Sequence, residues 1–227
     1  MQFNKFRKII GEILKLPIIS VTLDRSEEGI RLFKNFTRQH PKYFIFKQKT
    51  LGVAMIKLQD FANPEAFTQS VNGKNSAAYF SRKALREGYI FQTINPNDLE
   101  YSILEINNSA GNRQGRAMDD SYKSALKYPT NANNLYFGVF KEDILVAYLW
   151  VVKTGELAVL NRLLGHADHL NNGIMYLLVT KYVENEIIEK DKTHFVMYDT
   201  FLGAGEGLKM FKTRCGFRAY RIKWNLC

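Results

Sequence analysis

The stretch FVMYDTFLGAGEGLKMFKTRCGF, residues 195–217, decides how this chain is read. It opens on an unbroken apolar run, and with His194 in front the predicted strand is His194–Tyr198, short and buried on both faces as in a parallel sheet. Asp199 closes the strand, and Gly203 and Gly205 form a loop. A helix over Glu206–Cys215 follows and stops at Gly216, because glycine accepts the left-handed conformation that ends helices. Beyond it, Tyr220, Ile222 and Trp224 alternate with Arg221 and Lys223, so the last strand has one buried face and one basic face.

Working outward, the residues before this stretch predict a long helix from about Asn171 to Glu189. Ile174, Leu177, Leu178, Tyr182 and Val183 form its apolar stripe. A strand at Glu156–Leu164 feeds that helix, which suits a right-handed crossover between parallel neighbours. Earlier still, Leu135–Lys141 turns through Glu142 and Asp143 into Ile144–Lys153, a hairpin whose second arm is apolar on both faces and therefore central. A strand at Tyr89–Ile94 and helices at Asp98–Ala110 and Asp119–Lys127 precede it.

Residues 1–62 read as an appended α/β extension to a core of 63–227. The extension holds a helix over Phe3–Leu16, a strand at Ile18–Leu23, and a helix opened by Asp24 and Ser26. Extended stretches at Tyr43–Lys47 and Val53–Leu58 follow. Asn63-Pro64-Glu65 starts the next helix, which breaks near Asn72-Gly73, resumes at Ser76 and ends at Gly88. The fold class is α/β, a mixed α+β sheet.

Composition bounds the function. Of the 227 residues, 46% are hydrophobic and 24% charged, as in ordinary globular domains, so wholesale disorder is excluded. The longest apolar run, Ile144 to Val152, falls far short of the roughly 20 residues that cross a bilayer as a helix, so no membrane span is expected. Glu12, Lys15 and Pro17 interrupt the first apolar stretch, which therefore does not read as a signal peptide. With only Cys215 and Cys227, and no His/Cys spacing that suits zinc, the sequence points to a reducing cytoplasmic setting and to no metal. Residues 1–50 carry a balance of +7 out of a total of +10. That basic region would attract tRNA, DNA or coenzyme A, or equally serve solubility.

The order of elements from Tyr89 onward resembles the core of the GNAT (N-acetyltransferase-like) superfamily over roughly 140 residues, on ordinary domain-size reasoning. Within it, Gly207-Leu208-x-x-Phe211-Lys212-x-x-x-Gly216-Phe217, behind the glycine loop, resembles the Fem-type aminoacyl transferases. The resemblance implies transfer of an acyl group from acyl-coenzyme A, or of an aminoacyl group from tRNA, to a small-molecule or cell-envelope amine. In GNAT proteins a glycine-bearing loop and helix N-terminus hold the donor's pyrophosphate. The matching positions are Leu164, Gly165, Asn172 and Gly173, with Leu170 and Met175 departing from the usual pattern.

Lys212 occupies the place where many GNAT enzymes put a catalytic tyrosine. It could stabilise an oxyanion, bind a phosphate, or simply be a solvated helix-end cation. Asp199, at a strand's C-terminal end, could orient or deprotonate the acceptor, or cap its loop. His166 is a candidate base near neutral pH, or with His169 a solvent-exposed bystander. Arg113 and Arg116, around Gly115, form a candidate acceptor clamp unless they pair with Asp119 and Asp120. Cys215 reads as core packing. Two other functions remain beside transfer to a small amine: modification of nucleic-acid bases, and a non-catalytic binding module on the same fold.

Overall fold

Helices begin where the sequence supplies caps. The computed structural model describes residues 11, 14–41, 46–113, 116–189 and 191–227. Strand β1, Ile18–Leu23, leads to helix α1, Glu27–Thr37. Ser26 Oγ accepts from Gly29 N at 3.1 Å, and Glu27 and Glu28 sit in the first turn, where the helix dipole favours them. Strand β2, Val53–Lys57, precedes α2, Pro64–Ser70, and α3, Ala77–Arg86. Asn63 and Ser76 cap these two helices, with side-chain oxygens 2.8 Å from Ala66 N and 3.2 Å from Tyr79 N. Next come β3, Tyr89–Thr93; α4, Glu100–Asn108; and two-residue strands β4, Asn112–Arg113, and β5, Arg116–Ala117. A meander of β6, Asn134–Lys141, β7, Ile144–Thr154, and β8, Leu157–Gly165, leads to α5, Ile174–Glu189. The chain ends with β9, Phe195–Thr200, α6, Glu206–Arg214, and β10, Arg218–Leu226.

Among the described residues eight strands form one mixed sheet in the order β1-β10-β2-β9-β8-β7-β6-β3, and β4 pairs with β5 apart from it. The β1–β10 and β8–β9 pairs are parallel and the other pairs in the sheet antiparallel. Strands of the first 62 residues are part of this sheet, with β2 seated between β10 and β9.

Alternation along the strands sends neighbouring residues to opposite faces. Ala54, Ile56, Leu149 and Val196 face one side, where α5 lies with α2 and α3 through Leu177, Leu178 and Phe67. Val53, Met55 and Met197 face the other, under Leu32 and Phe36 of α1. On that second side the β7–β8 end is covered by Ile103 and Ile106 of α4, which pack with Tyr148 and Leu164. Because β7 is apolar on both sides it can be central, and it is.

The β1–α1 junction is tied to the β7–β8 turn by Asp24, whose carboxylate accepts from Gly155 N at 2.9 Å and from Thr154 Oγ1 at 2.9 Å. Gly155 has φ +53°, and a Cβ there would lie 2.4 Å from Thr22 O, so only glycine fits.

Three expectations change. The helix predicted over Asp119–Lys127 is only a one-turn 3-10 segment, Asp120–Tyr122, because the stretch lacks an apolar stripe to bury. The long helix starts at Ile174, behind a separate 3-10 turn over Ala167–Asn172. The helix predicted from Asp98 starts at Glu100. Most of the predicted helix over Phe3–Leu16 and of the stretch Tyr43–Lys47 lies outside the described residues.

Candidate active site

Parallel strands β8 and β9 pair only from Leu157–Phe195 to Val159–Met197. Beyond those positions each follows its outer neighbour. β8 stays bonded to β7 as far as Gly165 opposite Ala147, and β9 meets β2 again at Thr200 opposite Val53. The cause is legible in the register: Val151 faces Leu160 while Trp150 faces Arg162, so Asn161 is an extra residue in β8. Such a bulge bends its strand and raises the local twist, which turns the outer half of β8 away from β9. A cleft of about 540 Å³ opens there. Leu163 and Leu164 of β8, Tyr198 of β9, Met175 of α5, and Leu208 and Phe211 of α6 make most of its apolar wall.

Tyr198 and the two α6 residues are cleft-lining positions that were not among the site candidates read from the sequence. Leu208 and Phe211 stand three apart on α6, the spacing of one helix face, and that was the available signal. Burial pushes the Tyr198 phenol above its ordinary pKa and nearby Asp199 adds to the shift, so the hydroxyl stays protonated.

Lys212 is no solvated cation. Its side chain is 0% exposed, and Nζ donates to Thr200 O at 2.7 Å. The ammonium lies 4.9 Å from the centre of the Tyr198 ring and 5.7 Å from that of Phe201. Burial above all, opposed by Asp199 and aided by Lys49, lowers its pKa from 10.5 to about 8. It therefore stands behind the cleft wall and reaches the cleft through Tyr198.

Asp199 adopts φ +54°, unusual for a side-chain-bearing residue, and its carboxylate pairs with Lys49 Nζ. It borders a second cavity of about 360 Å³, together with His40, Gln48 and Thr200. The two cavities share Gly205 and Leu208, so the start of α6 stands between Asp199 and the cleft.

The four donor positions divide. Leu164 and Gly165 line the cleft. Asn172 Nδ2 donates instead to Tyr89 Oη at 2.6 Å, and Gly173, at φ +83°, lies against Phe80, where a Cβ would come 2.5 Å from the carbonyl oxygen. Leu170 and Met175 put apolar side chains where a diphosphate would need donors, so these residues do not fit a coenzyme A pyrophosphate.

His166 caps the 3-10 turn, Nδ1 accepting from Asp168 N at 3.4 Å. His169 shares a hydrogen bond with Tyr89 Oη at 2.8 Å, and burial lowers its pKa, with His166 adding to the effect. The backbone of Arg113 faces that of Arg116 across β4–β5. Ala110 and Asn112 border the cleft, so this hairpin stands at its mouth, while residues 114–115 lie outside the described set. Asp119 accepts from Ser121 N at 2.9 Å, and Asp120 pairs with Lys123 at 2.6 Å. Cys215 is buried, its thiol pKa pushed up by that burial. Among the described residues no group of three or more His, Cys, Asp or Glu could hold a metal ion, and no helix is long and apolar enough to cross a membrane.

No known family and no curated protein matches the chain. Solved structures do. FemX superposes with a TM-score of 0.58 at 11% identity, covering 78% of this chain and 62% of that one. The C-terminal domain of an Agrobacterium fabrum protein named for lysylphosphatidylglycerol synthesis gives 0.51 at 13%, covering 74% and 57%. A tandem GNAT protein from the clavulanic acid pathway gives 0.47 at 16%, covering 76% and 51%, too distant to carry an argument. The chain thus spans about three fifths of the first two chains. The fold is the GNAT fold, with its Fem-like variant among its neighbours.

Proposed function

We propose that this protein is an acyltransferase or aminoacyltransferase, moving an acyl group from acyl-coenzyme A or aminoacyl-tRNA to an amine. The observation that carries the reading is the parting of β8 from β9 beyond Val159 and Met197. Among the described residues it leaves that edge of β8 without a strand partner beside an apolar cleft, and such an edge suits an extended donor that completes the ladder. The apolar wall keeps water from the activated carbonyl.

The amine lone pair attacks the carbonyl carbon, and the bond to the leaving oxygen or sulfur breaks. Tyr198 gives its phenolic proton to the leaving group and regains one from the new ammonium centre. Lys212 is a positioning residue, holding Thr200 O and lying against the Tyr198 ring. The poor fit to a diphosphate and the Fem-like fold favour an aminoacyl ester over coenzyme A. The basic first 50 residues suit a tRNA, and a cytoplasmic location follows from where both donors are made. Arg113 and Arg116, at the cleft mouth, remain candidates for the acceptor.

The test offers the purified protein radiolabelled acetyl-coenzyme A and, separately, charged tRNA, each with a panel of amines. Transfer is expected from one donor, with the larger share of any loss on Leu208→Trp, which fills the cleft, appearing in KM. No transfer from either donor would remove the reading.

A further inference from the structure

Arg162, on the outer half of β8, belongs to no part of the machinery described so far. Across the sheet it faces Trp150, which in turn faces Tyr136, so the three side chains share the α4 face. The row ends at the cleft, because Arg162 lies past Val159, the last residue of β8 that pairs with β9. Rings cage the guanidinium. Its carbon lies 4.2 Å from the Tyr122 ring centre and 5.9 Å from that of Trp150, and Tyr128 stands edge-on to Trp150 at 5.8 Å.

The nitrogens are poorly used. Nη1 is buried with no hydrogen-bond partner among the described residues, Nη2 reaches Ser121 Oγ at 3.5 Å, and the Tyr128 hydroxyl and Asp119 carboxylate interact with the guanidinium besides. That distance is at the weak limit of a hydrogen bond, and a buried donor without an acceptor is costly. Of the nearby acids, Asp120 pairs with Lys123, and Asp119, whose pKa is lowered first by its bond from Ser121 N and also by the charge of Arg162, makes its hydrogen bond to Ser121 N. Tyr122 stacks on the guanidinium. Its chain neighbours Leu163 and Leu164 line the cleft, so the fork stands at the β8 edge of the cleft.

We propose that Arg162 anchors an oxyanion, carboxylate or phosphate, carried by the amine acceptor. The inference rests on the transferase reading for the word acceptor, but the site itself does not. The planar fork matches two oxygens of such a group, and the oxyanion takes the place of the distant Ser121 hydroxyl. The aromatic cage holds the fork in one orientation in advance of binding.

The test measures binding, by calorimetry and Trp fluorescence, of matched amines with and without the anion: glycine against glycinamide, and O-phosphoethanolamine against ethanolamine. The wild type is expected to bind one anionic probe about tenfold more tightly than its neutral partner, and the pair that shows this names the anion. Arg162→Gln abolishes the preference and leaves the neutral probe's affinity unchanged. Arg162→Lys, which keeps the charge and loses the fork, recovers only part of it. Should Arg162→Gln fail to fold, Ser121→Ala supplies the readout, since removing the competing hydroxyl tightens the anionic probe alone. Absence of preference for both anionic probes in the wild type overturns the proposal, as does a preference that survives Arg162→Gln or an anionic affinity unmoved by Ser121→Ala. Because binding is read without turnover, an Arg162-dependent preference with no transfer sinks the transferase reading alone, and transfer with an Arg162-independent preference sinks this one alone.

Discussion

Replacing Lys212 by methionine keeps the length of the side chain and removes its charge, together with the hydrogen bond to Thr200 O. A fall in pKa from 10.5 to about 8 means that the folded protein resists protonating this amine. The shift corresponds to about 3 kcal/mol. The sign follows from which state binds the proton. Below pH 8 both states are protonated and the fold bears the full cost; between 8 and 10.5 the unfolded chain binds more protons, so stability rises with pH; above 10.5 the cost is gone. The methionine variant lacks this dependence, though it leaves the Thr200 carbonyl unpaired, at about 1–3 kcal/mol independent of pH. Urea unfolding of both proteins from pH 6.5 to 11 should therefore show the wild type gaining about 3 kcal/mol relative to the variant, with tyrosine and cysteine titrations cancelling in the difference. Parallel stability curves would refute the burial argument for Lys212.

Three further outcomes are expected. Tyr198→Phe should lower kcat by about 100-fold or more with little change in urea midpoint, if the phenol supplies the leaving-group proton. Gly173→Ala should cost more than about 2 kcal/mol in urea unfolding, because a strained φ is joined by a clash with Phe80 O, whereas Gly203→Ala, with a similar φ and open space, should cost about 1 kcal/mol. Glu28→Ala should lose about 2 kcal/mol at pH 7, since the carboxylate accepts from Asn131 and Asn134 at 2.6 and 2.9 Å. These bonds, Asn131's first, lower the Glu28 pKa from 4.5, so its contribution is full above that value and the gap to the variant should close as pH falls further.

Local signals carried much of the fold. Ser26, Asn63 and Ser76 each satisfy a backbone donor three residues away, so they mark helix starts without knowledge of the rest of the chain. Gly88 and Gly216 end their segments through positive φ in the same local way. The placement of β2 between β10 and β9 was not legible, because it joins residues some 150 positions apart. The cleft was half legible. The strands ending near Leu164 and Tyr198 were identified, but their parting depends on the bulge at Asn161 and on the outer pairings that hold them, none of which has a local sequence signature. Lys212 stood out as a motif residue, yet its burial is set by Tyr198 and Phe201 from another element. Asp119 promised a helix because it is a good cap, but only Tyr122, Ala125 and Leu126 are apolar behind it, too few to hold a helix against the core.

The most direct test of the account is residue-resolved amide hydrogen exchange along β8 and β9, with and without a non-hydrolysable donor analogue, an acetyl-coenzyme A thioether or an aminoacyl-adenosine amide. The cleft predicts slow exchange at Leu157–Val159 in both conditions and added protection between Leu160 and Gly165, and at Tyr198, when one of the analogues is present. Uniformly slow exchange along both strands without ligand, and no change with either analogue, would contradict an open donor cleft between them.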